Sequence, residues 1–306
     1  MDLYLPIAGL SVNALVIIGL GGLVGFLSGM FGVGGGFLTT PLLIFYGIPP
    51  AVAVASSATQ ITGSSVTGAL AYWRRGGVDI RMGVALVIGG VGGSFSGSLL
   101  FRLLQNLGQI DIAISLSYVV LLGTVGTLML WETVNTLRAA RKGHKPTARP
   151  RHNKWIAALP FRYRFYKSGL YISPIAPMLL GFITGLLTVA LGVGGGFIVV
   201  PVLIYLFGMP ASVVVGTSLF QILFITAITT LIHSTQSRTV DIVLAILLLI
   251  GGVIGAQLGA RAAVKLRPEH LRLGLALIVL AVAVRMAIGL GWRPDEIFTL
   301  YGMAAA

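Results

Sequence analysis

The groups in this chain that could do chemistry are set out twice. The hexapeptide GVGGGF stands at 32–37 and again at 192–197, and a proline follows each copy four residues later, Pro41 and Pro201. Beyond the first copy lies SSATQI (56–61), carrying Ser56, Ser57, Thr59 and Gln60. Beyond the second lies TSLFQI (217–222), carrying Thr217, Ser218 and Gln221. A run of glycines interrupts a helix, and the half-helix that restarts after it presents backbone N–H groups with no partner inside the helix. Two such ends pointing at one place would hold an anion. Hydroxyl and carboxamide donors can share that load without the desolvation cost of a paired charge. At helical spacing Ser57 and Gln60 share one face, as do Ser218 and Gln221.

Each group also has a structural reading. The glycines could serve close helix packing, although packing favours glycines four apart. That pattern occurs separately, as Gly89, Gly93 and Gly97 in the first half and Gly251, Gly255 and Gly259 in the second. The hydroxyls could bond back to helix carbonyls or across helices. The glutamines fit that reading less well, because a mid-membrane amide recurring at matched positions is expensive. Asp79 and Asp241, in the repeated tripeptide VDI, each open an apolar run, so helix capping is expected of them. Arg285 lies inside an apolar segment and can snorkel to an interface.

The offsets between matched motifs are 192−32 = 160, 221−60 = 161 and 241−79 = 162, so the chain is a duplicated half. Of its 306 residues 56% are hydrophobic and 9% charged, with a mean hydropathy of +0.97. A soluble domain carries about 25% charged residues. The expected fold is therefore all-α and membrane-embedded, with ten segments. They lie near 12–31, 37–47, 51–72, 82–103 and 112–131, then 174–193, 197–208, 211–232, 241–263 and 271–290. The second segment of each half is too short for a full crossing. The N-terminus lacks the basic start of a cleavable signal peptide.

Ten of the 21 Lys and Arg residues fall within 132–172, beside the single acid Glu132. That loop is expected in the cytoplasm. The chain thus divides into a first transmembrane repeat (1–131), a basic cytoplasmic loop (132–172) and a second transmembrane repeat (173–306). Keeping Arg74, Arg75, Arg81 and the basic 261–272 stretch cytoplasmic as well requires five crossings per half. The repeats are then inverted, with both termini outside. A four-crossing arrangement with a re-entrant short segment would make the repeats parallel and expose one basic loop. The interleaved aromatic and basic residues from Trp155 to Tyr171 suit anionic headgroups and the interfacial belt rather than nucleic acid.

Enzyme readings find no motif to rest on. Phe37 and Phe197 stand where a dinucleotide fingerprint needs its last glycine, and no Walker lysine follows either run. The four histidines, His144, His152, His233 and His270, lack metal-ligand spacing, and with no cysteine there are no disulfides, thiolate metal sites or thiolate relays. No cofactor is expected. All eight acids sit at segment ends or in loops, so no carboxylate relay for a coupling ion is apparent.

The paired GVGGGF…P motifs, the GTS and glutamine positions after them, and KSGLYISP at 167–174 resemble the TauE/SafE family of sulfite and organosulfonate exporters. The resemblance extends from about Val12 to Leu290. It implies a secondary transporter in a bacterial inner membrane that exports a small sulfur-containing anion such as sulfite, sulfoacetate or a related sulfonate. Carried onto this chain, the motif residues are Gly32, Gly34, Gly35, Gly36 and Pro41, with Gly192, Gly194, Gly195, Gly196 and Pro201. With Ser57, Gln60, Ser218 and Gln221 they form the expected binding set. A passive anion channel and a non-transporting membrane scaffold are the alternatives, and oligomeric state is open.

Overall fold

The structure is a computed structural model that describes residues 2–31, 35–141, 163–263 and 268–291. Gly32 and Gly34 lie outside the described residues, as does most of the basic loop. Among the described residues ten α-helices follow the apolar pattern closely. In the first half they are α1 (Ala14–Phe31), α2 (Gly36–Phe45), α3 (Pro50–Arg74), α4 (Ile80–Asn106) and α5 (Ile110–Arg141). In the second they are α6 (Ile175–Leu191), α7 (Gly196–Pro201), α8 (Ala211–Ile232), α9 (Ile242–Ala263) and α10 (Pro268–Gly291). Helix α7 continues as a π-helix over Val202–Leu206, and α8 does so over His233–Ser237. Helix α5 carries on past 131 to Arg141, so the start of the loop expected at 132 is helical.

Local chemistry explains the boundaries. Pro50 sits at the first position of α3, where its missing N–H costs nothing. Asp79 caps α4 by accepting from the Met82 amide at 3.2 Å, and Asp241 caps α9 by accepting from Val243 and Leu244 at 3.1 and 3.2 Å. Among the described residues five stretches are long and apolar enough to cross a membrane: Ile80–Asn106, Ile110–Asn135, Val213–Ser237, Ile242–Gly259 and Leu273–Gly291. Their outer faces are apolar; Leu99, Leu128, Ile242 and Ile254 are all exposed, as a lipid-facing surface requires.

The glycine ladders pack helices, as their spacing predicts. Cβ atoms at Gly89, Gly93 and Gly97 of α4 would fall within 3.0 Å of the carbonyl oxygens of Met178, Phe182 and Leu186 on α6. On the other flank Gly21, Gly25 and Gly29 of α1 meet Leu248, Gly252 and Ala256 of α9 just as closely. Residue numbers rise together across both contacts, so each pair runs parallel. The α3–α8 crossing is antiparallel: Thr62 donates to Thr226 at 2.9 Å and Thr59 to Thr230 at 3.3 Å. Small residues let these backbones touch where lipid offers no hydrophobic drive for association. Thr59 and Thr62 also bond back to the Ala55 and Ala58 carbonyls, the structural alternative anticipated for such hydroxyls.

Two short antiparallel hairpins precede the two helical halves. Strand β1 (Asp2–Leu5) pairs with β2 (Leu10–Asn13), and β3 (Tyr163–Phe165) with β4 (Leu170–Ile172). Each is pinned by the opposite half. The second Asp79 oxygen accepts from the Ser168 amide at 3.0 Å and the Ser168 hydroxyl at 2.5 Å, while that of Asp241 accepts from the Ile7 amide at 3.0 Å. The pattern extends to the backbone: the Asp79 amide donates to Thr217 Oγ1 at 3.0 Å, and the Asp241 amide to Ser56 Oγ at 3.4 Å. Capping was the expected role of both acids; the cross-tie is an addition to it.

Candidate functional site: two helix breaks face to face

Both glycine runs break a helix, as three glycines in sequence should. Gly35 has φ +58°, and α2 restarts at Gly36 with the amides of Leu38 and Thr39 donating to the Gly35 carbonyl at 3.0 and 3.2 Å. Gly195 has φ +76°, and the Ile198 and Val199 amides return to its carbonyl at 3.1 and 3.0 Å. The amides of Gly36 and Phe37, and of Gly196 and Phe197, therefore precede the first bond each helix closes. Equivalent walls back the two turns. A Cβ on Gly35 would lie 3.1 Å from Val24 and 3.2 Å from Ser28, and one on Gly195 would lie 2.9 Å from Thr184 and 3.5 Å from Thr188.

The breaks meet. A Cβ on Gly36 would collide with the Gly192 carbonyl oxygen and with Ile61. Phe37 and Phe197, the first-turn aromatics of α2 and α7, stack face to face with centroids 4.8 Å apart and planes 10° from parallel. Both are 1% exposed. Gly194 is left-handed too, with Ile61 and Ile222 against it. Pro41 and Pro201 lie inside the two half-helices and withdraw one amide donor from each.

Three polar side chains bond to threonines beside this junction, and a fourth bonds to its own helix. Gln60 accepts from Thr39 Oγ1 at 3.1 Å. Ser57 accepts from Thr40 Oγ1 at 3.0 Å. Gln221 donates to Thr184 Oγ1 at 2.9 Å. Ser218 is buried and donates to the Val215 carbonyl of its own helix at 2.9 Å. Ser57, Gln60 and Gln221 thus reach the breaks through threonines that the motif comparison passed over. Thr39 and Thr40 face Val199 and Val200 in the other copy, and Thr184 faces Val24, so a search for matched residues is blind to them. For Thr39 and Thr40 the signal was position: two hydroxyls one residue beyond GGGF.

The end of α6 is satisfied residue by residue, because a dry helix C-terminus leaves carbonyls that must find donors. The Gly192 amide bonds the Thr188 carbonyl at 2.7 Å. His233 Nε2 bonds that of Val189 at 3.0 Å, with Phe101 edge-on to the imidazole. The hydroxyl of buried Tyr118 donates to that of Leu191. Arg285 is elsewhere, exposed on α10 with its guanidinium 5.3 Å over the Phe45 ring.

The family model for the sulfite exporter TauE/SafE matches residues 17–286. The chain belongs to the TauE/SafE family. It is 30% identical to a probable membrane transporter protein of Xylella fastidiosa over 89% of this chain and 94% of the relative. It is 28% identical to the probable membrane transporter protein YunE of Bacillus subtilis, over 90% and 97%. A Methanocaldococcus jannaschii probable membrane transporter protein is 25% identical over 87% and 91%. No solved structure matches the chain. Family and relatives agree with a multi-pass membrane transporter.

Proposed function

We propose that this chain is a secondary transporter that exports a small sulfur-containing anion, sulfite, sulfoacetate or a related sulfonate, through the junction of its two helix breaks. The observation that carries the reading is the direct meeting of the breaks, with Phe37 stacked on Phe197 and Gly36 against Gly192. First-turn amides that close no helix bond, with hydroxyl and carboxamide groups beside them, give a polar site without fixed charge. Such a site favours an anion and can release it. The binding set is Gly35, Gly36, Pro41, Ser57, Gln60, Gly192, Gly194, Gly195, Gly196, Pro201, Ser218 and Gln221, completed by Gly32 and Gly34. The stacked rings act as the plug between two half-pathways, and export requires them to part.

Ten segments in inverted repeats are supported by helix direction. Helices α3 and α8 are the same element in the two copies, and they run antiparallel where they cross. Parallel repeats would align them. With the basic loop in the cytoplasm both termini lie outside, and the basic residues of 132–172 contact anionic headgroups. A membrane potential of 100 mV, negative inside, drives each exported negative charge with about 2.3 kcal/mol. Outward flow of an anion therefore needs no coupling ion.

The test is current on a solid-supported membrane bearing purified protein, with concentration jumps of sulfite, sulfoacetate, sulfate and chloride. Saturable current for sulfite or a sulfonate, absent for chloride, is expected. Non-saturating current for every anion would replace the transporter with a channel. No response to any anion, in current or in tracer uptake, would refute transport.

A further inference from the structure

The two glutamines at the junction are matched in sequence and opposite in polarity. Gln60 places its carbonyl oxygen on the Thr39 hydroxyl, and its amide nitrogen lies against Gly252 of α9. Gln221 places its amide nitrogen on Thr184 Oγ1. Its carbonyl oxygen is buried and has no hydrogen-bond partner among the described residues, in a residue 0% exposed.

The orientation of the Gln221 amide follows from the threonine. Thr184 Oγ1 carries one proton, and that proton goes to the Gly181 carbonyl at 2.9 Å. The oxygen can then only accept, which draws Nε2 toward it and turns Oε1 away. Thr184 is also the side chain against Gly195, 2.9 Å from where a Cβ would stand. Gln221 is thus one hydrogen bond from the side chain that backs the second break, and its carbonyl oxygen is the acceptor left unpaired there. An orphaned buried acceptor costs about 1–3 kcal/mol, so a resident ligand that fills it gains what the empty site lacks. One amide oxygen is too few ligands for a coupling cation, since sodium-like or divalent ions need several oxygens.

We propose that the transported anion carries its own hydrogen-bond donor and delivers it to Gln221 Oε1. Such ligands are a singly protonated oxyanion or a sulfonate bearing a hydroxyl or N–H group. The charged oxygens face the half-helix amides while the donor faces Gln221. The proposal rests on the junction being the anion site, and it narrows what that site takes. Fully deprotonated dianions and plain alkylsulfonates bind as anions but leave the carbonyl unpaired.

The experiment uses the full chain in proteoliposomes on a solid-supported membrane. It compares 2-hydroxyethanesulfonate with ethanesulfonate, two monoanions of similar size that differ by one hydroxyl. Wild type should favour the hydroxylated ion by at least about tenfold in apparent affinity, as sites built around a ligand hydroxyl reject analogues that lack it. Gln221→Met should lower that ratio toward one while the protein remains monodisperse in detergent. Gln60→Met should weaken both ions and leave the ratio near the wild-type value. Equal affinities for the two ions in wild type, or an unchanged ratio in Gln221→Met, overturn the donor assignment and leave the junction site standing. If neither ion nor sulfite moves, both readings fall together.

Discussion

The cross-tie between Asp79 and the second hairpin gives a perturbation whose size can be worked out. Asp79→Ala removes two bonds from Ser168, at 3.0 and 2.5 Å, together with the α4 cap. The cap is worth about 1 kcal/mol to the helix. The two Ser168 bonds are charge-assisted and buried, at about 1.5 kcal/mol each on the low side. They hold the hairpin with about 3 kcal/mol, and losing them raises its undocked population by about 150-fold. Asp241 holds the first hairpin through the Ile7 amide alone among the described residues. Asp241→Ala should therefore raise undocking only about tenfold. The chain has no cysteine, so an introduced one is a unique reporter. Leu170→Cys in β4 and Leu5→Cys in β1 are buried positions for a water-soluble maleimide to probe. Labelling of Leu170→Cys should accelerate by about two orders of magnitude with Asp79→Ala. Labelling of Leu5→Cys should accelerate by about one with Asp241→Ala. Unchanged rates in both pairs, or a larger effect at Asp241 than at Asp79, would refute the reasoning.

Other outcomes follow from the packing and the breaks. Gly35→Ala and Gly195→Ala should abolish anion current while the protein still inserts. Each puts a Cβ on a left-handed residue, and the loss of stability should be greater at Gly195, where Thr184 is 2.9 Å away, as read by thermal aggregation in detergent. Valine would be a poorer probe, because a β-branched side chain strains such a turn further. Gly93→Leu or Gly255→Leu should reduce the yield of monodisperse protein outright, since each drives a side chain into a backbone carbonyl, and normal yield would show that the ladders are not tight. Gln60→Leu should slow transport without abolishing it, in the same current assay, because it removes one group among several. Deleting 140–154 tests the basic loop: lowered abundance or transport is expected, and wild-type behaviour in both would deny it a role.

The helices were legible because their cause is legible. Apolar runs of a set length, bounded by Pro50, Asp79, Pro210 and Asp241, fall within a few residues of the helices observed, except at the end of α5, which runs on from 131 to Arg141. The breaks were legible because three glycines in series disfavour helix and lack the four-residue spacing that packs helices together. What the sequence hid falls into two kinds. The hairpins depend on strands of three or four residues whose stability comes from Asp79 and Asp241, more than seventy residues distant in one case and more than two hundred in the other. No local pattern reports such a tie. The threonines at the junction, and Tyr118 and His233 at the end of α6, were hidden because duplication drew attention to matched residues. The site takes part of its polarity from unmatched ones.

The pairing of α1 with α9 has a consequence for how the chain is made. Gly25 meets Gly252, a separation of 252−25 = 227 residues. At about 5–20 residues per second, α1 waits about 10–45 s in the bilayer before its partner leaves the ribosome. Its glycine face is meanwhile turned to lipid or to whatever holds it. Helix α4, in contrast, meets its partner α6 after fewer than a hundred residues. Assembly should therefore start from the α4–α6 pair in the middle of the chain and close last around α1. The first-made helix is the last to be buried, so truncation from the C-terminal end should strand the N-terminal helix and mark the nascent protein for degradation.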